Sequence, residues 1–235
     1  MRSNSVNVDK KARRSAIAAL SFLVPIASIG ILMTTYIDPG VVGKSIYSLS
    51  KLWLIAFPWL WRVKVEKKTI KLPSLKQSKL WFGLVLGLLM GGIIIAAYWF
   101  IGRSLIDPVT VREQAEAIGL NSITVFFLGV AYWSFVNAFI EEAVWRGFVF
   151  RYCRKLFRYF PAVAISALFF TLHHIIAMAY YLQNPLLVFI TSFGVFAAGW
   201  IWSACYQKAG FWACYISHII ADLAIGLVGW HLLFS

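Results

Sequence analysis

The sequence predicts an all-α, polytopic transmembrane helical bundle of about seven spans with a cytoplasmic N-terminus. Composition is the first observation: 61% of the 235 residues are hydrophobic and 13% are charged, and the mean hydropathy is +0.77. Soluble domains are about 45–50% apolar and about 25% charged. The second observation is the length of the apolar runs, several of which reach the roughly 20 residues needed to cross a hydrocarbon core.

Seven apolar segments can be assigned as spans. In chain order they are Ser15–Ile37, Ser45–Trp61, Leu80–Ile101, Asn121–Phe150, Phe160–Leu182, Leu186–Tyr206 and Gly210–Phe234. The fourth segment is long enough to project beyond the bilayer. Lys51 and Pro58 interrupt the second segment, so a re-entrant or interfacial placement stays open for it.

The distribution of basic residues is the third observation, and it predicts the orientation. The formal net charge is +13, and 17 of the 22 Lys and Arg residues lie in segments 1–14, 62–79 and 151–158 or at Lys208. These segments share one side if all seven spans cross, and basic loops remain in the cytoplasm. We therefore expect a multi-pass protein of the inner (plasma) membrane. Nucleic acid is not an expected partner, because no basic stretch is interleaved with stacking aromatic residues.

Ionisable residues inside apolar spans are rare, because each costs about 2.5–3.5 kcal/mol on insertion scales, and they usually face the bundle interior. This sequence places such residues in three spans: Glu141, Glu142, Arg146, His173, His174, His218 and Asp222. Counted from the basic flanks at 1.5 Å per residue, Glu141, His174 and His218 lie roughly 15, 24 and 15 Å deep. The three groups can therefore meet near the middle of the bilayer.

The spacing within each group adds detail. Glu142 and Arg146 are four residues apart, so they share a helical face and can form a charge pair. A buried structural pair is an alternative explanation of these two residues taken alone. His218 and Asp222 have the same spacing, so both can face one cavity. The pattern on three separate helices favours a functional site over three unrelated structural features.

At these residues the sequence resembles the CAAX protease and bacteriocin-processing family, intramembrane endopeptidases similar in their core to the Ras-converting CAAX endopeptidase. The family pattern is EExxxR, FxxxH and HxxxN or HxxxD on successive helices. It corresponds here to Glu141–Arg146, Phe170–His174 and His218–Asp222. The chain would be a single integral membrane domain, 1–235, with N-terminal spans in 1–119 and catalytic core helices in 120–230.

The second motif has two registers, because Phe169 with His173 also fits FxxxH. The small residues before Phe170 favour His174 as the catalytic histidine, and His173 is then a core residue. The third motif ends in Asp222, where many family members have Asn. An Asp must be protonated to donate to an oxyanion, so the alternative role of Asp222 is to orient His218.

The resemblance implies a peptidase mechanism. Peptide hydrolysis needs an activated water, a proton donor for the leaving amine, and stabilisation of the tetrahedral oxygen. Glu141 and His174 would activate the water, and His218 with Asp222 would stabilise the oxyanion. Glu142, Arg146 and Phe170 would support them. No cofactor is favoured, although a zinc site remains an alternative, with its ligands given by Glu141, His174, His218 and Asp222.

The substrate class stays open at this point. The resemblance implies a membrane-embedded or membrane-associated peptide or protein, cut at a C-terminal sorting tag, a bacteriocin-type leader or a CAAX-like terminus. A non-catalytic scaffold or immunity protein with the same fold is the alternative from another class. A proton-relaying transporter is disfavoured, because such folds show inverted repeats that are not evident in this sequence.

Overall fold

A computed structural model describes residues 2–69, 73–117, 119–120 and 122–235, with side chains from Lys10 onward. Within these ranges the chain is helical and contains no β-strand. Backbone groups in a bilayer have no water to bond, so an apolar segment satisfies them internally as a helix. The predicted all-α, polytopic bundle is confirmed.

Eleven α-helices occur in the described residues. They are α1 (Arg2–Leu32), α2 (Val41–Leu60), α3 (Leu80–Ala97), α4 (Arg103–Leu105), α5 (Pro108–Ala117), α6 (Ile123–Ala131), α7 (Ala138–Glu141), α8 (Arg151–Leu156), α9 (Tyr159–Leu182), α10 (Pro185–Ala209) and α11 (Phe211–Phe234). Two π-helical segments, Tyr132–Asn137 and Glu142–Phe150, join α6, α7 and α8 into one continuous helix. This long helix, Ile123–Leu156, carries the EExxxR motif.

Six helical segments of the described chain are long and apolar enough to cross a membrane. They are Lys10–Ile37, Leu80–Leu105, Ile123–Leu156, Tyr159–Leu182, Pro185–Ala209 and Phe211–Phe234. Each corresponds to a predicted span. The second predicted span forms the helix α2 but is not among these six. It is the segment that Lys51 and Pro58 interrupt.

By packing, the chain divides into two compact units. The first comprises residues 1–72, 143–180 and 188–204, and the second comprises 73–142, 181–187 and 205–235. Each unit is assembled from segments that are distant in sequence. The functional division into N-terminal spans, 1–119, and core helices, 120–230, stays a prediction.

In the first unit, α2 returns antiparallel along α1. The indole Nε1 of Trp53 donates to the Phe22 carbonyl at 3.0 Å. The segment that follows α2 reaches the end of the long helix, where Lys155 Nζ lies 2.5 Å from Glu66 Oε1. The basic residues that follow α2 and those that end the long helix therefore lie at one end of this unit. The orientation of the chain in the membrane stays a prediction.

In the second unit, α3 packs closely on α11. Gly83, Gly87 and Gly91 are spaced at four-residue intervals and face α11, where a Cβ on Gly83 would lie 2.3 Å from the Ala213 carbonyl oxygen. Small residues at this spacing allow helix backbones to approach within a membrane. At the other end of α11, Arg112 Nε donates to the Leu232 carbonyl at 3.1 Å. Contacts at both ends therefore hold the helix that carries the HxxxD motif.

Candidate active site

The two glutamates of the first motif lie where the long helix changes its hydrogen-bond pattern. Glu141 is the last residue of α7, a single α-helical turn, and Glu142 begins the π-helical segment that follows. Wide π turns are rare and occur often at functional sites. Glu141 is 8% exposed and Glu142 is fully buried. Two adjacent carboxylates are thus held inside the protein by an apolar helix.

His218 of α11 lies among three carboxylates, all within the second unit. Its Nδ1 is 2.9 Å from Glu142 Oε1, within hydrogen-bond distance. Its Nε2 is 3.7 Å from Glu141 Oε2 and also 3.7 Å from Asp222 Oδ1. Three predicted site residues therefore surround the imidazole of a fourth, His218. The catalytic roles assigned to these four residues stay predictions.

The short contact of His218 is with Glu142 and not with Asp222. A carboxylate accepts, so Nδ1–H donates to Glu142, and this bond orients the ring with Nε2 towards Glu141 and Asp222. The sequence indicated only that Glu142 supports the helix together with Arg146. The structure adds a direct contact to the histidine of the third motif, and the Glu142–Arg146 pair stays a prediction.

Asn137 contacts the predicted base and was not identified from the sequence. Its Nδ2 donates to Glu141 Oε1 at 2.9 Å, four residues along the same helix. Asn is costly in an apolar span unless it is bonded. The sequence feature that could have identified Asn137 is therefore an Asn one helical turn before a Glu within an apolar span. The motif EExxxR does not include this position.

The second motif lies on α9 in the first unit. His174 Nδ1 lies 2.8 Å from the Phe170 carbonyl oxygen. A carbonyl can only accept, so Nδ1 carries the proton, and neutral His174 has its lone pair on Nε2. That tautomer is the one a base or a metal ligand needs. The structure thus gives His174 a defined orientation, and its catalytic role stays a prediction.

His173 has different surroundings from its neighbour. Its ring stacks on the indole of Trp145, with 5.1 Å between centroids and a 10° angle between planes. It is 8% exposed, whereas His174 is more open to its surroundings. This packing is what the sequence analysis expects of a core histidine.

Arg146 is also in the first unit, and it is 1% exposed. Its guanidinium carbon lies 4.4 Å from the centroid of the Phe170 ring and 5.0 Å from that of Trp202. A planar guanidinium is attracted to aromatic faces when it is desolvated. Phe170 of the FxxxH motif therefore contacts the arginine of the EExxxR motif, which explains a structural need for an aromatic residue at that position.

These groups define the class of protein. It is a multi-pass membrane protein that holds a cluster of carboxylates and an imidazole, the residue types of acid–base catalysis, within its membrane-spanning helices.

Comparison with known proteins gives the family. Residues 123–224 match the family described as type II CAAX prenyl endopeptidase Rce1-like. The matched region contains all three motifs, so the match confirms their resemblance to the CAAX protease family and supports a membrane protease. Neither the curated proteins nor the solved structures contain a match.

Proposed function

We propose that the protein is an intramembrane endopeptidase of the inner (plasma) membrane, in which Glu141 acts as the base on a hydrolytic water. The observation that carries the proposal is the arrangement around His218, where Glu141 Oε2 and Asp222 Oδ1 both lie 3.7 Å from Nε2. Such separations exceed a direct hydrogen bond and suit a shared water or a substrate oxygen. A carboxylate, an imidazole and a second carboxylate then face one reacting group.

In this mechanism Glu141 takes a proton from the water as the oxygen attacks the scissile carbonyl. The resulting acid can return the proton to the leaving amine, as general acid–base catalysis requires. His218, which donates to Glu142 through Nδ1, stabilises the tetrahedral oxygen when Nε2 also carries a proton.

His174 is the second water-activating group in the proposal. Its place rests on the resemblance of Phe170–His174 to the FxxxH motif. The hydrogen bond from Nδ1 to the Phe170 carbonyl supports the role, because it leaves Nε2 as the basic nitrogen. Asp222 orients His218 in the proposal, because its Oδ1 lies 3.7 Å from Nε2 of that ring.

Zinc is the alternative means of activating the water. Glu141, His218 and Asp222 would hold it, because carboxylates and imidazoles are its common ligands. The donation of His218 Nδ1–H to Glu142 is also the outer contact that zinc-binding histidines make. A bound zinc ion supplies Lewis-acid activation of water. The metal-free form is proposed because the motifs resemble a glutamate-type site and the sequence contains no HExxH.

Elemental analysis and a chelator distinguish the two forms. The metal-free enzyme is expected to be purified without stoichiometric zinc and to keep its activity in a chelator. Activity that chelation abolishes and zinc restores would establish the metal-dependent form instead.

The proposed substrate is a membrane-anchored peptide or protein. Three kinds remain candidates: a C-terminal sorting tag with a span and a basic tail, a bacteriocin-type leader, and a prenylated CAAX-like terminus. A site within spanning helices is suited to all three, because each brings the scissile bond to the membrane. The description of the matched family names the third kind of substrate, a prenylated CAAX terminus.

Co-expression with one tagged reporter of each kind tests the proposal. Glu141→Gln removes the base and is expected to lower cleavage at least ~10²-fold, the scale of general-base catalysis. Glu113→Gln is the matched control, because it changes the same functional group on the exposed face of α5. A Glu141→Gln variant that cleaves as well as the wild type would disprove the assignment, and the absence of cleavage of every reporter by the wild type would favour the non-catalytic scaffold.

A further inference from the structure

We propose that Asn137 is a positioning residue for Glu141, fixing which carboxylate oxygen faces the reaction. The inference rests on the proposed function, and the observation behind it is the contact of Asn137 Nδ2 with Glu141 Oε1 at 2.9 Å. Neither the motifs nor the family match assigns a role to this side chain.

The two oxygens of Glu141 have different partners. Oε1 accepts from Asn137, whereas Oε2 points to His218 Nε2 at 3.7 Å. A carboxylate on an unrestrained side chain exchanges its oxygens by rotation about the terminal bond, whose torsion is broad and two-fold. The amide donor removes this exchange by holding Oε1. Oε2 is then the oxygen that takes the proton from the water.

The local backbone explains why an amide can reach this carboxylate. Asn137 ends the π-helical segment Tyr132–Asn137, and Glu141 ends the α-helical turn that follows. Residues four apart lie on one face of an α-helical turn. The single α turn between the two wide segments therefore sets Asn137 directly beside Glu141, and the next residue, Glu142, is directed to His218 Nδ1.

A purely structural role makes a different prediction from a positioning role. If Asn137 only fills space, Asp should replace it better than Ala, because Asp has nearly the same shape. If Asn137 acts as a donor, Asp is worse than Ala, because an ionised Asp cannot donate and repels Glu141. The order of the two variants separates the roles.

The kinetic test uses purified protein in detergent micelles and three fluorogenic peptides: one with a C-terminal tag, one with a leader, and one with a farnesylated CAAX terminus. With any peptide that the wild type cleaves, Asn137→Ala should lower kcat by about 10- to 100-fold, the scale for a small misplacement of a catalytic group. KM should change less than twofold, and Asn137→Asp should be slower still. The control is Val136→Ala, a change at a neighbouring position that is 49% exposed.

An infrared measurement tests the contact without relying on activity. The difference between wild-type and Glu141→Gln spectra, recorded across a pH step, identifies the carboxylate bands of Glu141. Asn137→Ala should shift those bands, and Val136→Ala should leave them in place. Unshifted bands in Asn137→Ala, or an Asp variant that retains more activity than the Ala variant, would overturn the inference. Cleavage by Glu141→Gln would instead refute the proposed function while the infrared result still decides the role of Asn137.

Discussion

Replacing Gly83 with Ala tests how the helix that carries His218 is held in place. A Cβ at this position would lie 2.3 Å from the Ala213 carbonyl oxygen and 2.7 Å from its Cα. Both are backbone atoms of α11, so no side-chain rotation can relieve the overlap. The helices must separate by roughly 1 Å to restore ordinary contact, which begins near 3.4 Å.

The change that Gly83→Ala makes in the free energy of unfolding has two opposing contributions. Overpacking of this kind costs about 1–3 kcal/mol, whereas removing a glycine from a helix interior gains up to ~1 kcal/mol. Gly92→Ala is the matched control, because nothing lies within 4 Å of its Cβ and only the gain applies. The gain is common to both variants, so they should differ by about 1–3 kcal/mol in the free energy of unfolding, the cost of overpacking alone. A shift of α11 by about 1 Å should also lower cleavage by up to ~10²-fold.

Unfolding in detergent micelles, followed by circular dichroism, measures the first effect, and cleavage of a tagged reporter measures the second. The stability and activity of Gly91→Ala should be close to those of Gly92→Ala, since the Cβ that this substitution adds would lie at an ordinary contact distance, 3.4 Å, from the Ala224 Cβ. If Gly83→Ala is as stable and as active as Gly92→Ala, the close contact between α3 and α11 does not exist and the reasoning fails.

Two further predictions concern charged residues of the first unit. Arg146→Lys should destabilise the fold by about 2 kcal/mol, because an ammonium replaces the planar contact of a desolvated guanidinium with Phe170 and Trp202; thermal unfolding checks this, and an unchanged midpoint would contradict it. Burial raises the pKa of Glu66, but hydrogen bonds from Lys155 and Tyr152 and the charges of Lys155 and Lys68 together outweigh that effect and hold the pKa below its ordinary value. The pair should therefore contribute up to about 1 kcal/mol above roughly pH 5, and the contribution should disappear as the pH falls through the depressed folded-state pKa. Lys155→Met should flatten this pH dependence of the unfolding midpoint, and an unaltered slope would show that the pair contributes nothing.

The sequence predicted most of the helices closely. The fifth span was predicted as Phe160–Leu182, and the helix is Tyr159–Leu182. The sixth was predicted as Leu186–Tyr206, and the helix is Pro185–Ala209. The agreement has a physical reason, because an apolar run in lipid must be helical and its polar flanks mark where it can end. Only the second span departs, since its lysine and proline leave it outside the six apolar helices.

Four of the predicted site residues, Glu141, Glu142, His218 and Asp222, lie close together in the second unit, and their catalytic roles stay predictions. Spacing placed Glu142 and Arg146 on one helical face, and the comparison with the family motif gave Asp222 the role of orienting His218. In the structure the short bond to His218 comes from Glu142. Spacing along one helix could not reveal this bond, because it joins two helices and depends on how each is rotated about its axis, and Glu142 begins a π-helical segment whose turns are wider than those of an α-helix. A count based on 3.6 residues per turn cannot include that change.

Taken by itself, the sequence determined that this protein is a helical membrane protein and that three of its spans carry motifs that resemble those of the CAAX protease family. Hydropathy and residue type suffice for those conclusions, because both act locally along the chain. Only the tertiary structure showed that Asn137 donates to Glu141 and that Glu142 contacts His218, 76 residues away in sequence. It also showed that Gly83, Gly87 and Gly91 of α3 pack against α11. These contacts depend on the rotation of each helix about its axis and on how closely two backbones approach, and both are consequences of packing rather than of composition.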